Sequence, residues 1–274
     1  MSEITFLGPD SMSEPITYVG LYSDGTPMVK TAGWTRIVDR AHTMVLRPKS
    51  LMSFVDAMFL VDAITLAGGR IHKLVLPYVP GARQDRSNPT GDVLFTAQSV
   101  ADMINARRFS RVVILDPHSP VTPNIIHNVR VFPSARVTTK LPTGYDGVIA
   151  PDDGGRKRAE DAAFVLGVPV FYGGKHRDVS TGKLTGFSVE PLKEGGHYLV
   201  VDDICDGGGT FIGLGEKIRE QGATADLFVS HGIFAKGTSD MRKIYQNIYT
   251  TDSRDIHDTH VQIIEVVKEM ENYS

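Results

Sequence analysis

Leu199-Val200-Val201-Asp202-Asp203-Ile204-Cys205-Asp206-Gly207-Gly208-Gly209-Thr210 is an apolar run, an acidic turn, three glycines and the start of a helix. An apolar strand that breaks into glycines and re-forms as a helix is an anion-binding architecture. Consecutive backbone N–H groups converge into a concave nest, and the first turn of the helix adds its unpaired amides. The aspartates look out of place beside an anion. Carboxylates at a strand end, however, accept hydrogen bonds from sugar hydroxyls or hold a hydrated magnesium ion. A sugar phosphate satisfies both halves of the motif, whereas a turn whose aspartates only cap the next helix leaves the adjacent pair Asp202-Asp203 unexplained. No Lys follows the glycines, which excludes a Walker A loop, and the G-x-G-x-x-G spacing is absent.

Outward from this stretch the chain alternates strands and helices. Apolar residues from Leu51 to Leu66 recur at helical spacing and stop at Gly68-Gly69. Leu74 to Leu76 reads as a strand, Thr96 to Ala106 as a helix and Val112 to Leu115 as a strand. The rhythm returns with Val148 to Ala150, a helix over Arg156 to Leu166, strands at Val168 to Phe171 and Tyr198 to Asp203, a helix over Phe211 to Gln221, and a strand at Leu227 to Ser230. Such alternation predicts α/β architecture with largely parallel sheets flanked by helices. Pro133, Pro142 and Gly144 punctuate a joint, so two α/β domains are expected, over 1–135 and 136–274, with ligands beyond the carboxyl ends of the strands.

A net charge of −3 excludes broad nucleic-acid or anionic-membrane binding, so anionic ligands must be met locally. The single cysteine, Cys205, excludes an internal disulfide framework and suits a reducing cytosol. With no signal-peptide pattern at the start and no run long enough to span a bilayer, the expected location is cytoplasmic.

The stretch from Val200 to Thr210 resembles the ribose-phosphate motif shared by type I phosphoribosyltransferases and phosphoribosyl pyrophosphate synthetases. A second segment, Leu76-Pro77-Tyr78-Val79-Pro80-Gly81-Ala82-Arg83-Gln84-Asp85-Arg86, is similar to the ATP-site signature of the synthetases, also called ribose-phosphate diphosphokinases. Arg83 and Arg86 are planar cations suited to bidentate contact with phosphates, and Gln84 can present an amide to a base or a phosphate oxygen. Further matches run in the family's order: Tyr22-Ser23-Asp24-Gly25, Asp116-Pro117-His118, Pro151-Asp152-Asp153-Gly154-Gly155, and Lys175-His176-Arg177 before a polar flap over Gly173 to Gly196.

The resemblance implies two phosphoribosyltransferase-like domains with the active site between them, and transfer of pyrophosphate from ATP to the anomeric hydroxyl of ribose 5-phosphate, giving phosphoribosyl pyrophosphate and AMP. It implies that Tyr22, Asp24, Arg83, Gln84, Asp85, Arg86 and His118 bind ATP. Asp202 and Asp203 would hold the ribose hydroxyls, and Asp206, Gly207, Gly208, Gly209 and Thr210 the 5-phosphate. Magnesium would lie near His118 and Asp152, with Lys175 and Arg177 closing over the transferred group. It further implies a homo-oligomer, dimer or hexamer, in which the adenine loop serves a neighbouring subunit.

Several residues depart from the family pattern. Gly207 stands where the loop usually carries Thr, so one hydroxyl donor is gone and the pocket is roomier. Asp153 replaces an apolar or small residue, Arg156 and Lys157 add cations nearby, Thr26 replaces Glu and Pro117 replaces Leu. Two acceptors therefore stand open, plain ribose 5-phosphate and one extended at its phosphate, such as ADP-ribose. A non-catalytic regulatory relative and a phosphoribosyltransferase are the remaining readings; the first is opposed by the presence of Lys175, Arg177 and the aspartates, the second by the Arg83 to Arg86 loop.

Overall fold

The computed structural model describes residues 3–7, 13–14, 18–24, 27–29, 41–87, 95–177 and 184–273. The chain divides into two compact units. One comprises Met1–Phe132, Ser253–Asp255 and Val267–Ser274, the other Pro133–Asp252 and Ile256–Val266.

Unit 1 is built from β1 (Glu3–Leu7), β2 (Ser13–Glu14), the hairpin β3 (Tyr18–Leu21) and β4 (Pro27–Val29), β5 (Ala41–Arg47), α1 (Leu51–Leu66), β6 (Arg70–Leu76), α2 (Thr96–Ala106), β7 (Arg111–Leu115), α3 (Val121–Ile125) and β8 (Val129–Phe132). Its sheet runs β2-β1-β5-β6-β7-β8, parallel from β5 to β8 with β1 and β2 antiparallel at the edge. The helix α1 starts at a reciprocal cap, Ser50 accepting from the Ser53 amide while the Ser53 side chain accepts from the Ser50 amide. Phe54, Met58 and Ile64 on α1 are buried with Leu74, Leu76, Val112 and Ile114 of the sheet, whereas Met52 and Phe59 are exposed.

Unit 2 follows with α4 (Ser134–Thr138), β9 (Gly147–Ala150), α5 (Arg156–Leu166), β10 (Val170–Arg177), β11 (Leu184–Val189), β12 (His197–Cys205), α6 (Gly209–Glu220), β13 (Thr224–Gly232), β14 (Ile248–Thr251) and β15 (Gln262–Ile264). Its sheet runs β11-β10-β9-β12-β13-β14-β15, parallel throughout except for β11, which pairs antiparallel with β10. Val200, Val229, Leu227, Phe211, Leu214 and Ile218 form its core. The near-continuous apolar runs of β12 and β13 are what a parallel strand covered on both faces requires.

The segment expected to be a flap is therefore a β-hairpin at its stems, with residues 178–183 outside the described part. The change of unit falls at Phe132 and Pro133, and the last helix, α7 (Val267–Glu271), returns to unit 1. There the buried Lys73 ammonium on β6 donates to the carbonyls of Glu271 at 2.7 Å and Tyr273 at 2.9 Å, and the Tyr273 ring meets Phe132 edge-on. Burial lowers the pKa of Lys73, with the charge of Arg111 adding to the effect, so those two carbonyls are what make a charged amine tolerable there.

Candidate active site

In unit 2 the candidate residues gather at the carboxyl ends of three adjacent strands, β10, β9 and β12. Asp152 follows β9, and its Oδ1 accepts from the amides of Gly154 at 3.0 Å and Gly155 at 3.3 Å. Its Oδ2 receives the Lys175 ammonium of β10 at 2.5 Å. The predicted catalytic lysine and the predicted metal-linked aspartate are thus brought together. Arg177 ends β10, but its side chain lies outside the described residues, as do Gly25 and Thr26 of the expected adenine loop.

Asp202 and Asp203 lie within β12, which runs on to Cys205 because its ladder to β13 continues through Ile204–His231 and Cys205–Gly232. Arg158 of α5 faces both, its Nη1 3.4 Å from Asp202 Oδ1 and 4.0 Å from Asp203 Oδ1, with all three side chains nearly buried. The Asp202 carboxyl is held well above the usual carboxylate range, first by burial and then by the charge of Asp203, while Arg158 pulls the other way. A protonated carboxyl in this place can both accept from and donate to sugar hydroxyls, whereas a carboxylate held by Arg158 only accepts.

Sequence reasoning passed over Arg158. Arg156 and Lys157, expected to serve the acceptor, are instead bound on the surface of α5: Arg156 to Asp153 at 2.8 Å and over the Tyr172 ring, Lys157 to Asp161. The signal that could have singled out Arg158 is its spacing of four residues from the buried Ala162, which shares its helix face.

The loop after β12 takes its shape from Gly208, at φ 77°, a conformation that side chains with a Cβ rarely adopt. Its position is fixed from below, where Met241 packs against Gly208 and lies 3.7 Å from the Cys205 sulfur. Gly209 and Thr210 open α6 directly after the N-cap Gly208, so the first turn of the helix begins at this loop. The buried Cys205 thiol is pushed up to about 12 by desolvation and by the charges of Asp202 and Asp206, so it is no nucleophile.

In unit 1 the second set collects at the ends of β6 and β7. Pro77, directly after β6, accepts from the Leu115 amide at the end of β7, and His118 follows two residues after Asp116, whose backbone is left-handed at φ 34°. The loop from Val79 to Arg86 is held by the Gln84 carbonyl, which accepts from Ala97 of α2 at 3.1 Å, and by the Thr96 hydroxyl on the Gln84 side chain. Asp85 is buried and anchors Arg86 at 2.9 Å; burial alone would raise its pKa, but hydrogen bonds from Arg86 and Ser119, with the charge of Arg86, outweigh it and hold the carboxyl below its ordinary value. Arg83, Arg86 and His118 are exposed on this rim, and Tyr22 and Asp24 are exposed on the β3–β4 turn.

Residues 122–268 match the family model described as the phosphoribosyl transferase domain. The chain belongs to this family. Among curated relatives, the ribose-phosphate pyrophosphokinase of Pyrococcus abyssi is 32% identical over 193 residues, covering 68% of this chain and 66% of that protein. That of Thermococcus kodakarensis is 33% identical over 199 residues, with 67% and 66% covered. The chain thus spans about two thirds of the length of these relatives. The crystal structure of phosphoribosylpyrophosphate synthetase from Mycobacterium smegmatis superposes with a TM-score of 0.82 at 22% identity, covering 96% of this chain and 90% of that one, and so shares the fold across both units. No helix among the described residues is long and apolar enough to cross a membrane.

Proposed function

We propose that the chain is an ATP-dependent diphosphokinase. The anomeric hydroxyl of a ribose-5-phosphate-type acceptor attacks the β-phosphorus of ATP, the bond from that phosphorus to the bridging α,β-oxygen breaks, AMP leaves with the oxygen, and the hydroxyl proton is released. The observation that carries this reading is the convergence in unit 2 of Lys175 on Asp152 with the neutralised Asp202-Asp203 pair at neighbouring strand ends, above a glycine loop that opens a helix. Curated relatives named ribose-phosphate pyrophosphokinase supply the acceptor class, ribose 5-phosphate in the first instance.

Each group then has a task. The Asp206 to Thr210 loop binds the 5-phosphate and Asp202 and Asp203 the ribose hydroxyls. Arg83, Gln84 and Arg86 bind the nucleotide, with Tyr22 and Asp24 on adenine, in the manner of a homo-oligomer whose adenine loop serves a neighbouring subunit. Lys175, joined by Arg177, neutralises charge spreading over the transferred group, which is how phosphoryl transfer is chiefly catalysed.

A magnesium ion fits this donor set. Among the described residues no three metal-ligating side chains cluster, and magnesium characteristically keeps its waters and takes one or two carboxylates together with substrate phosphates. The Lys175 ammonium already occupies Asp152 Oδ2, so in unit 2 Asp152 would meet the ion through one of its waters. The ion would supply charge neutralisation on the phosphates. A buried, unpaired cysteine suits a reducing cytoplasm.

Incubation with ATP, magnesium and ribose 5-phosphate, with products resolved by mass, tests the reading. AMP and a diphosphorylated sugar are expected in equal amounts. ADP with a monophosphorylated product, or no turnover, would refute it.

A further inference from the structure

The missing hydroxyl at Gly207 has a cation beside it. A Cβ built on Gly207 would lie 3.6 Å from Lys236 Cε and 3.7 Å from Lys236 Cδ, so the lysine stem runs alongside the glycine and its ammonium is one bond further on. The placement is fixed by backbone. The chain leaving β13 is stitched to the phosphate loop by three hydrogen bonds: the Cys205 carbonyl accepts from Ile233 at 2.8 Å and Phe234 at 3.0 Å, and the Asp206 carbonyl accepts from Ala235 at 2.9 Å. A turn closed by Gly237 N–H on the Phe234 carbonyl at 2.8 Å, with Phe234 at φ 47°, then presents Lys236 at its tip. Lys236 is exposed, and among the described residues no hydrogen bond or ion pair engages it.

We propose that Lys236 is a specificity-determining residue of the acceptor site, and that it contacts the second phosphate of an acceptor whose 5-phosphate is one end of a diphosphate bridge. This rests on the reading of the glycine loop as the 5-phosphate site. A threonine at position 207 would place a neutral donor against the 5-phosphate itself, and its γ atoms would compete with the lysine stem for the same space. Glycine there removes that donor and opens a path along which a full charge on a four-carbon arm reaches past the nest. A monoester gains nothing from reach, because all its oxygens lie inside the nest. A diphosphate carries its second anion outside it, where a flexible ammonium is the fitting partner.

ADP-ribose is the probe for this class, and the full chain with Lys236→Met, which keeps the stem and removes the charge, is the variant. Two measurements are made: calorimetric titration of each acceptor without ATP, and steady-state AMP formation with each acceptor. The ratio of kcat/KM for ADP-ribose over ribose 5-phosphate is expected to fall about tenfold in Lys236→Met, mainly through KM, with a matching loss of ADP-ribose affinity in the titration and recovery in Lys236→Arg. An unchanged ratio, or wild-type protein that binds no ADP-ribose, overturns the proposal. If the titration shows the Lys236 dependence while no acceptor yields AMP, the diphosphokinase reading falls and the binding role of Lys236 stands.

Discussion

Replacing Arg158 by Met should cost stability in a way that depends on pH, and the sign follows from the two aspartates it faces. The guanidinium lies 3.4 Å from Asp202 and 4.0 Å from Asp203. At an effective dielectric of about 20 those separations correspond to roughly 5 and 4 kcal/mol of gross attraction. Much of that is offset by the desolvation of the arginine, and removal of one partner of such buried groups typically costs about 3–5 kcal/mol.

Asp202 has a folded pKa above its unfolded value. A carboxyl of this kind contributes stability that is fully present below its unfolded pKa and is lost as pH rises through the folded one. Without Arg158 the folded pKa moves higher still, so the loss continues to higher pH. The deficit of Arg158→Met relative to wild type is therefore expected to be about 3 kcal/mol at the alkaline end of the pH range and to shrink as pH falls, where the variant's pair takes up a proton instead. Hydrogen exchange of peptides from β12 and α5, read by mass spectrometry across this range, isolates unit 2 from unit 1. Arg158→Lys should recover part of the loss. A deficit that is the same at both ends of the range would show that Arg158 acts by packing, and the charge argument would be wrong.

Lys175→Ala removes the cation on Asp152 and is expected to lower kcat by about 10²–10³-fold while ATP affinity, read by titration, changes little; unaltered turnover would take Lys175 out of the chemistry. Cys205, with its thiol at about 12, should resist iodoacetamide in the native protein near pH 8 and react fully once unfolded in guanidinium; native labelling at the rate of a free thiol would contradict its burial. Gly213→Ala would put a methyl 2.0 Å from Phe187 Cε2, forcing β11 away from α6 at a cost of about 1–3 kcal/mol, visible as a lowered Tm. Deletion after Val266 removes both carbonyl acceptors of the Lys73 ammonium and should raise exchange in β6 before it does so in β12.

Much of the parallel core was legible because it is written in runs. The helix Arg156–Leu166 was read to its bounds, since a charged face and a terminal Gly167 delimit it, and β7 was read at all but its first residue. β12 was read short at both ends: His197, Ile204 and Cys205 carry no periodic signal once two aspartates interrupt the run, and only the ladder to β13 shows that the strand goes on. β5, β8, β14 and β15 were passed over, being short or polar at one end, and their strand character comes from neighbours distant in sequence. The site was legible where a residue type is unusual for its place, as with the glycines and Asp202-Asp203. It was not legible where several like residues stand together. Arg156, Lys157 and Arg158 are equivalent in composition, and only the turn of α5 decides which one faces the aspartates. Lys236 was invisible for a further reason, since three backbone bonds between segments about thirty residues apart place it beside Gly207.

The return of the C-terminal segment to unit 1 sets an order of assembly. Emerging from the ribosome, unit 1 is the first to be made and the last to be finished, because its sheet lacks the acceptors for Lys73 until Glu271 and Tyr273 have been added. Unit 2, whose residues are all translated by Val266, is complete first. A nascent chain halted before Glu271 would therefore carry a finished unit 2 beside an open unit 1, whose Lys73 still waits for the two carbonyls that make its charge tolerable.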